Sequence, residues 1–209
     1  MPGTNVYNEP SSAAVYEEKI KRSVFIANLE PVHSEDEARD FLTRIISQHR
    51  DATHNCRAYI IGNAGESEYF SDDGEPSGTA GRPILLAIKK STLVNVMIIV
   101  TRYFGGVKLG TRGLIDAYGL TASKAIELAG VIERVITQKF SVSLDYASMG
   151  TITRLLETHN AMNLSWNYQE SVNVNADVPV NYCESLSREL DELKARKFIK
   201  SFDKNLTAL

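Results

Sequence analysis

Cysteine is scarce in this 209-residue chain: there are two, Cys56 and Cys183, far apart in sequence. That excludes a disulfide framework and any zinc site built from cysteine pairs. Long apolar runs are missing too: none approaches the roughly 18 residues a membrane span needs. The polar stretch Met1 to Pro10 lacks the basic-then-apolar layout of a secretion signal. A cytoplasmic, reducing setting with no membrane partner is therefore expected. There is no basic excess either. The net charge is −3 and the pI about 5.9, which excludes a globally basic nucleic-acid coat but not a local basic patch. What is present is ordinary globular material, 43% hydrophobic and 23% charged, which excludes low-complexity disorder. The chain is long enough to bury a core without staples.

Charge is unevenly spread. Glu30 to Glu75 carries eleven acids and four bases, whereas Pro76 to Lys124 carries seven bases and one acid, Asp116. A bipolar surface is one consequence; solvated faces that cancel are the plainer one. Pattern predicts strands over 14–20 and 23–29. A helix follows, opened by the capping-box spacing Ser34-Glu35-Asp36-Glu37 and carrying Ala38, Phe41, Leu42, Ile45 and Ile46 as its apolar stripe. Next come a strand over 54–61, a long loop over 62–81, a short helix over 83–90, and a strand within 93–104 whose apolar run suits burial on both faces. A glycine-rich turn leads to a helix over 114–128, stopped by Gly130. Beyond a boundary near Thr137 the pattern is β-α-β-β-α-β, which fits a ferredoxin-like sandwich. The expected domains are residues 1–136 and 137–209, in an α+β fold.

The densest candidate for chemistry is Thr101-Arg102-Tyr103-Phe104-Gly105-Gly106-Val107-Lys108-Leu109-Gly110-Thr111-Arg112. Glycines at Gly105, Gly106 and Gly110 allow left-handed backbone and close approach to a ligand. A helix start supplies free N–H groups and partial positive charge. Arg102, Lys108 and Arg112 add full charges, with Tyr103 and Arg82 nearby in sequence. Phosphate, of a nucleotide or of RNA, is the obvious guest. The spacing to Lys and Ser/Thr is not that of a Walker loop. A tight strand-to-helix turn with solvated arginines is the plain alternative.

A second segment, Asp72-Asp73-Gly74-Glu75-Pro76-Ser77-Gly78, puts three carboxylates in four positions. Asp72, Asp73 and Glu75 suit a hard cation, although the spacing is not that of a calcium loop and acid–glycine pairs are ordinary turn chemistry. In His54-Asn55-Cys56, the first and third residues share a strand face, so a Cys–His pair is conceivable. No third, orienting residue is identifiable, and Cys56 reads better as core filler. His33, His49 and His159 sit at element ends and make no ligand set. In the C-terminal unit, Trp166, Tyr168 and Tyr182 suggest either a stacking platform for bases or packing against helices, with packing favoured. No catalytic constellation and no cofactor is expected.

Four segments together resemble the YigZ/IMPACT family: Ala52-Thr53-His54-Asn55-Cys56; Asp72-Asp73-Gly74-Glu75-Pro76-Ser77-Gly78-Thr79-Ala80-Gly81; Thr101-Arg102-Tyr103-Phe104-Gly105-Gly106; and Lys108-Leu109-Gly110 running on to Ala117-Tyr118-Gly119. One departure is Arg112, where family members usually have glycine. The resemblance implies an N-terminal unit like the second domain of ribosomal protein S5. It implies a C-terminal unit like the ferredoxin-like last domains of elongation factor G. Eukaryotic relatives carry an extra RWD domain and regulate translation initiation by competing for the activator of a stress kinase. This chain opens at the shared domain, so that competition is not expected of it.

Three functions follow. The favoured one is a non-enzymatic, translation-associated protein that binds RNA, the ribosome or a translation factor through the basic glycine-rich loop. The second is an enzyme acting on a phosphorylated small molecule, with Asp72, Asp73 or Glu75 holding magnesium and no residue identifiable as the base. The third is a protein-interaction module using the acidic loop 66–75.

Overall fold

A computed structural model describes residues 6–205; Met1 to Asn5 of the polar N-terminal stretch lie outside the described residues. The chain divides into two compact units, one of them Tyr7–Arg134 and the other containing Val135–Leu209. The fold is α+β.

In the first unit, β2 (Ala14–Ile20), β3 (Ser23–Pro31), β4 (His54–Ile61), β5 (Ser67–Ser71) and β6 (Val96–Tyr103) form one sheet of order β2-β3-β6-β4-β5. Every neighbouring pair is antiparallel. On one face lies α1 (Glu35–Gln48), capped by the Ser34 hydroxyl, which accepts from the Glu37 N–H at 3.2 Å. Phe41 and Ile45 pack there on Met97 and Ile99. The other face is covered by α2 (Gly81–Lys90) and α3 (Gly110–Ala129), with Phe25, Ile84, Ile88, Ile98 and Tyr118 in the larger core. β6 is central, and seven of its eight residues are buried. Its near-continuous apolar run follows from that double cover: with no solvent face there is no alternation to read.

Three features depart from the sequence expectation. α3 begins at Gly110, inside the expected glycine-rich turn and ahead of the expected helix over 114–128. The long loop 62–81 contains β5, an edge strand too polar and too short to alternate visibly. It is fixed by pairing with β4, where Tyr59 and Tyr69 stack with centroids 5.4 Å apart. A separate two-stranded sheet joins β1 (Val6–Pro10) to β7 (Val131–Val135), a pairing between distant segments that local pattern cannot disclose.

The second unit runs β8 (Thr137–Leu144), α4 (Met149–Thr158), β9 (Met162–Tyr168), β10 (Val172–Pro179), α5 (Cys183–Ala195) and β11 (Ile199–Asn205). Its antiparallel sheet has the order β11-β8-β10-β9, the fourth-first-third-second arrangement of a ferredoxin-like sandwich. Phe140, Val142, Ile152, Val174, Leu186 and Leu190 form its core, with Trp166 packed against it. Tyr182 meets His159 edge-on at 6.1 Å, while exposed Tyr168 stacks on Tyr146 at 6.5 Å.

Candidate functional site

The site grows from one row of the sheet. Phe25 on β3, Arg102 on β6 and His54 on β4 stand opposite one another in register. Directly opposed residues of antiparallel strands point to the same face, here the one beneath α2 and α3. Tyr103, one residue on, points to the other face, where its hydroxyl meets His49 Nδ1 at 2.9 Å. The strand pleat therefore removes Tyr103 from the neighbourhood of Arg102.

Arg102 is 6% exposed and Glu75 3%, so their ion pair is essentially dry. Arg102 Nη1 donates to Glu75 Oε1 at 2.6 Å, and Nη2 donates to the Ser23 hydroxyl at 3.3 Å. The guanidinium lies 5.4 Å from the Phe25 ring centroid and 5.3 Å from that of Phe104. Its Nε is buried and has no hydrogen-bond partner among the described residues. The Tyr118 hydroxyl also donates to Glu75 Oε1, at 2.9 Å. Removing either charge would strand the other in a low-dielectric interior, so the pair must be kept or lost together.

His54 completes this floor. Its Nδ1 sits 2.8 Å from the Asp73 carbonyl oxygen, which fixes Nδ1 as the protonated nitrogen. Nε2 is left facing Glu75 Oε1 at 3.8 Å. Cys56 lies deeper. Its thiol donates to the Asp72 carbonyl at 2.9 Å and contacts Tyr118 Oη at 3.4 Å. Burial pushes the Cys56 thiol up to about 12, the Tyr118 contact only partly offsetting this. A thiol held neutral is a poor nucleophile, so Cys56 fills the core. Burial likewise raises the Tyr118 phenol, keeping it a hydrogen-bond donor.

Above this floor opens a cleft of about 430 Å³. Its walls are apolar: Pro76, Phe104, Leu109 and Leu114. Lys108, Gly110 and Thr111 line its exposed rim. The first turn of α3 therefore opens on the cleft. Among the described residues no side chain is seen to cap it, and its first turn holds no acid. α2 differs: its N-terminus is filled by Asp72, whose Oδ1 accepts from Ala80 N at 3.0 Å and Gly81 N at 2.8 Å. Oδ2 accepts from Gly78 N at 2.8 Å. One helix start is thus stoppered by a carboxylate of this chain, and the other is not.

The predicted site residues separate into groups. Arg102, Lys108 and Gly110 converge on the cleft with Glu75. Arg82 and Arg112 are exposed but outside its lining. Gly106 and Gly110 have φ of +82° and +76°, the left-handed region that glycine permits. At Gly105 the close approach is by the chain itself: a Cβ there would lie 1.8 Å from the Arg22 carbonyl oxygen. The three carboxylates do not share a cation site. Asp72 caps α2, Asp73 Oδ2 accepts from Asn55 N at 2.7 Å, and Glu75 holds Arg102. Among the described residues no group of three or more His, Cys, Asp or Glu could hold a metal ion. The acidic loop is largely satisfied internally as well, Glu68 pairing with Lys89 at 2.7 Å. Tyr118 is the participant that sequence reasoning leaves without a role, and His54 is weighed there only as a partner of Cys56. Both stood in the family-like segments, but only strand register and helix docking place them on Glu75.

The model of the Impact N-terminal domain matches residues 21–126, which includes every residue of the cleft. IMPACT family member YvyE of Bacillus subtilis (strain 168) is 40% identical over 187 residues, 90% of this chain and 86% of the relative. IMPACT family member YigZ of Escherichia coli (strain K12) is 31% identical over 183 residues, 87% and 90% of the two chains. A crystal structure described as that of an hypothetical protein aligns over 97% of both chains, with 28% identity and a TM-score of 0.68. The chain belongs to the IMPACT family.

Proposed function

We propose that this chain is a translation-associated binding protein whose N-terminal unit takes phosphate of RNA at the rim of the cleft. The observation that carries this is the uncapped start of the 20-residue α3, open beside Lys108 on a cleft floored by Arg102. Free N–H groups and the helix dipole favour an anion there, and Lys108 makes no ion pair among the described residues. Arg112 in the first turn of α3 and Arg82 in the first turn of α2 are exposed outside the cleft lining and add positive charge at the starts of the two helices. The basic segment 76–124 thus supplies the cations, with Arg102 as an internally neutralised part of the floor. The translation setting rests on the family resemblance, whose eukaryotic members regulate initiation.

The test is co-sedimentation of the purified protein with ribosomes and with RNA at two salt concentrations, beside Lys108→Ala/Arg112→Ala. Phosphate contacts release counterions, so pelleting should weaken steeply with salt and fall further in the variant. Pelleting that ignores salt and survives the variant would overturn the assignment. Arg102 is unsuitable as the probe, because its loss would leave Glu75 buried and unpaired.

A second function, action on a small phosphorylated molecule, is favoured by one specific observation. The cleft is apolar-walled and ends on buried Glu75 and Arg102 with the partly buried His54 beside them, which contact with an RNA backbone does not require.

A further inference from the structure

We infer that the cleft is a single-nucleotide pocket: it takes one compact phosphate monoester of nucleotide size, with phosphate at the α3 start and a hydroxyl or ring nitrogen read by His54 Nε2. This rests on the phosphate assignment above and names the ligand more closely.

Four independent features point to it. The first is size and wall chemistry. About 430 Å³ lies in the lower part of the range for small-molecule sites, and Phe104, Leu109 and Leu114 offer apolar surface of the kind a base or sugar ring covers. Phe104 is 46% exposed, with the Arg102 guanidinium 5.3 Å from its ring centroid.

The second is the phosphate end. The uncapped first turn of α3 and Lys108 supply N–H donors and a full positive charge, and a monoester dianion suits both better than a diester does.

The third is the polar end. His54 is held by the Asp73 carbonyl through Nδ1, so Nε2 is the nitrogen free to meet a ligand. Protonated, it is balanced by Glu75 at 3.8 Å and donates; neutral, it accepts. A hydroxyl, which both donates and accepts, satisfies either state.

The fourth is Arg102. More than nine-tenths buried and part of the cleft lining, it keeps a buried Nε–H without a hydrogen-bond partner among the described residues. Orphaned buried donors are uncommon in folded proteins. The Arg102 guanidinium is held by Glu75 and Ser23, so this part of the floor is fixed before a ligand arrives.

The exposed bases outside the cleft separate this inference from RNA binding in general. A chain of phosphates would use Arg82 and Arg112 together with Lys108. A mononucleotide in the cleft would use Lys108 and His54 and ignore Arg82 and Arg112.

The experiment is isothermal titration calorimetry of the full chain with inorganic phosphate and with adenosine, guanosine, cytidine and uridine 5′-monophosphates. An RNA oligonucleotide is titrated in parallel against wild type, His54→Ala, His54→Gln, Lys108→Ala and Arg82→Ala/Arg112→Ala. At least one mononucleotide should bind more tightly than inorganic phosphate. Its affinity should fall about tenfold in His54→Ala and in Lys108→Ala, recover in part in His54→Gln, and stay unchanged in Arg82→Ala/Arg112→Ala. Circular dichroism checks that each variant is folded. RNA binding that needs Lys108, Arg82 and Arg112, with no mononucleotide binding and no effect of His54, would overturn the single-nucleotide pocket and leave the RNA assignment standing. Binding of neither RNA nor any mononucleotide by the folded wild type would overturn both.

Discussion

The two units share a plan, helices packed on an antiparallel sheet, but differ in what they bury. The C-terminal unit keeps Phe140, Leu144, Ile152, Leu156, Leu186 and Leu190 in its core, and its buried polar residues are Ser148 and His159. The N-terminal unit buries a formal ion pair, Arg102 with Glu75, with the Tyr118 hydroxyl donating to Glu75. Replacing a buried pair by apolar residues is often neutral or stabilising. Stability alone therefore does not account for charges at Arg102 and Glu75, whereas a cleft that needs a fixed, polarised floor does. The buried ion pair and the cleft above it both lie in the first unit, whereas the core of the second is built from apolar side chains.

The sharpest way to break that contrast is Glu75→Ala, which leaves Arg102 charged and unpaired in a dry site. The N-terminal unit should lose about 3–5 kcal/mol in urea unfolding. A loss below about 1 kcal/mol would show that water reaches the pair. Next in size is Leu186→Ala in the other core, expected to cost about 2–5 kcal/mol while leaving affinity for any cleft ligand unchanged. A parallel loss of affinity would mean that the cleft depends on the second unit.

A third effect depends on pH. The Cys56 thiol is raised from its ordinary 9.0 to about 12, so between those values the folded chain keeps a proton that the unfolded chain has released. Stability must then fall as pH rises through that window, and Cys56→Ala should flatten the fall. The Tyr118 phenol, raised from 10.0, acts in the same direction, and Tyr118→Phe should remove its share. Urea midpoints at pH 8, 9, 10 and 11 measure both, and an unchanged slope in both variants would refute the burial described here. The smallest effect on stability belongs to Lys108→Ala. An exposed rim residue of this kind should change unfolding by no more than about 0.5 kcal/mol and yet weaken phosphate binding.

Much of this was legible in the chain. The Ser34 cap, the β4 limits His54 and Ile61, the doubly covered strand at Val96–Tyr103 and the Gly130 stop follow from local rules, and the structure shows each. The β-α-β-β-α-β order of the second unit was also readable, because its strands and helices carry simple periodicities. What local rules could not supply was register. Arg102 appears in the sequence as a surface cation beside Lys108 and Arg112. Only its position opposite Phe25 and His54, under a helix bearing Tyr118, makes it an internal residue. Likewise Asp72 looks like a cation ligand until the start of α2 folds onto it. His54 had no visible partner, because the Asp73 carbonyl that orients it lies on a separate segment.

The most direct test of the central claim is amide chemical-shift mapping of the full chain while an RNA oligonucleotide, and separately inorganic phosphate, is titrated in. The account predicts that the largest shifts fall on Lys108 and on the first turn of α3, Gly110 to Gly113, and that the amides of α2 capped by Asp72 stay still. Shifts centred on the C-terminal sheet, or none at the start of α3 with ligand bound, would contradict it.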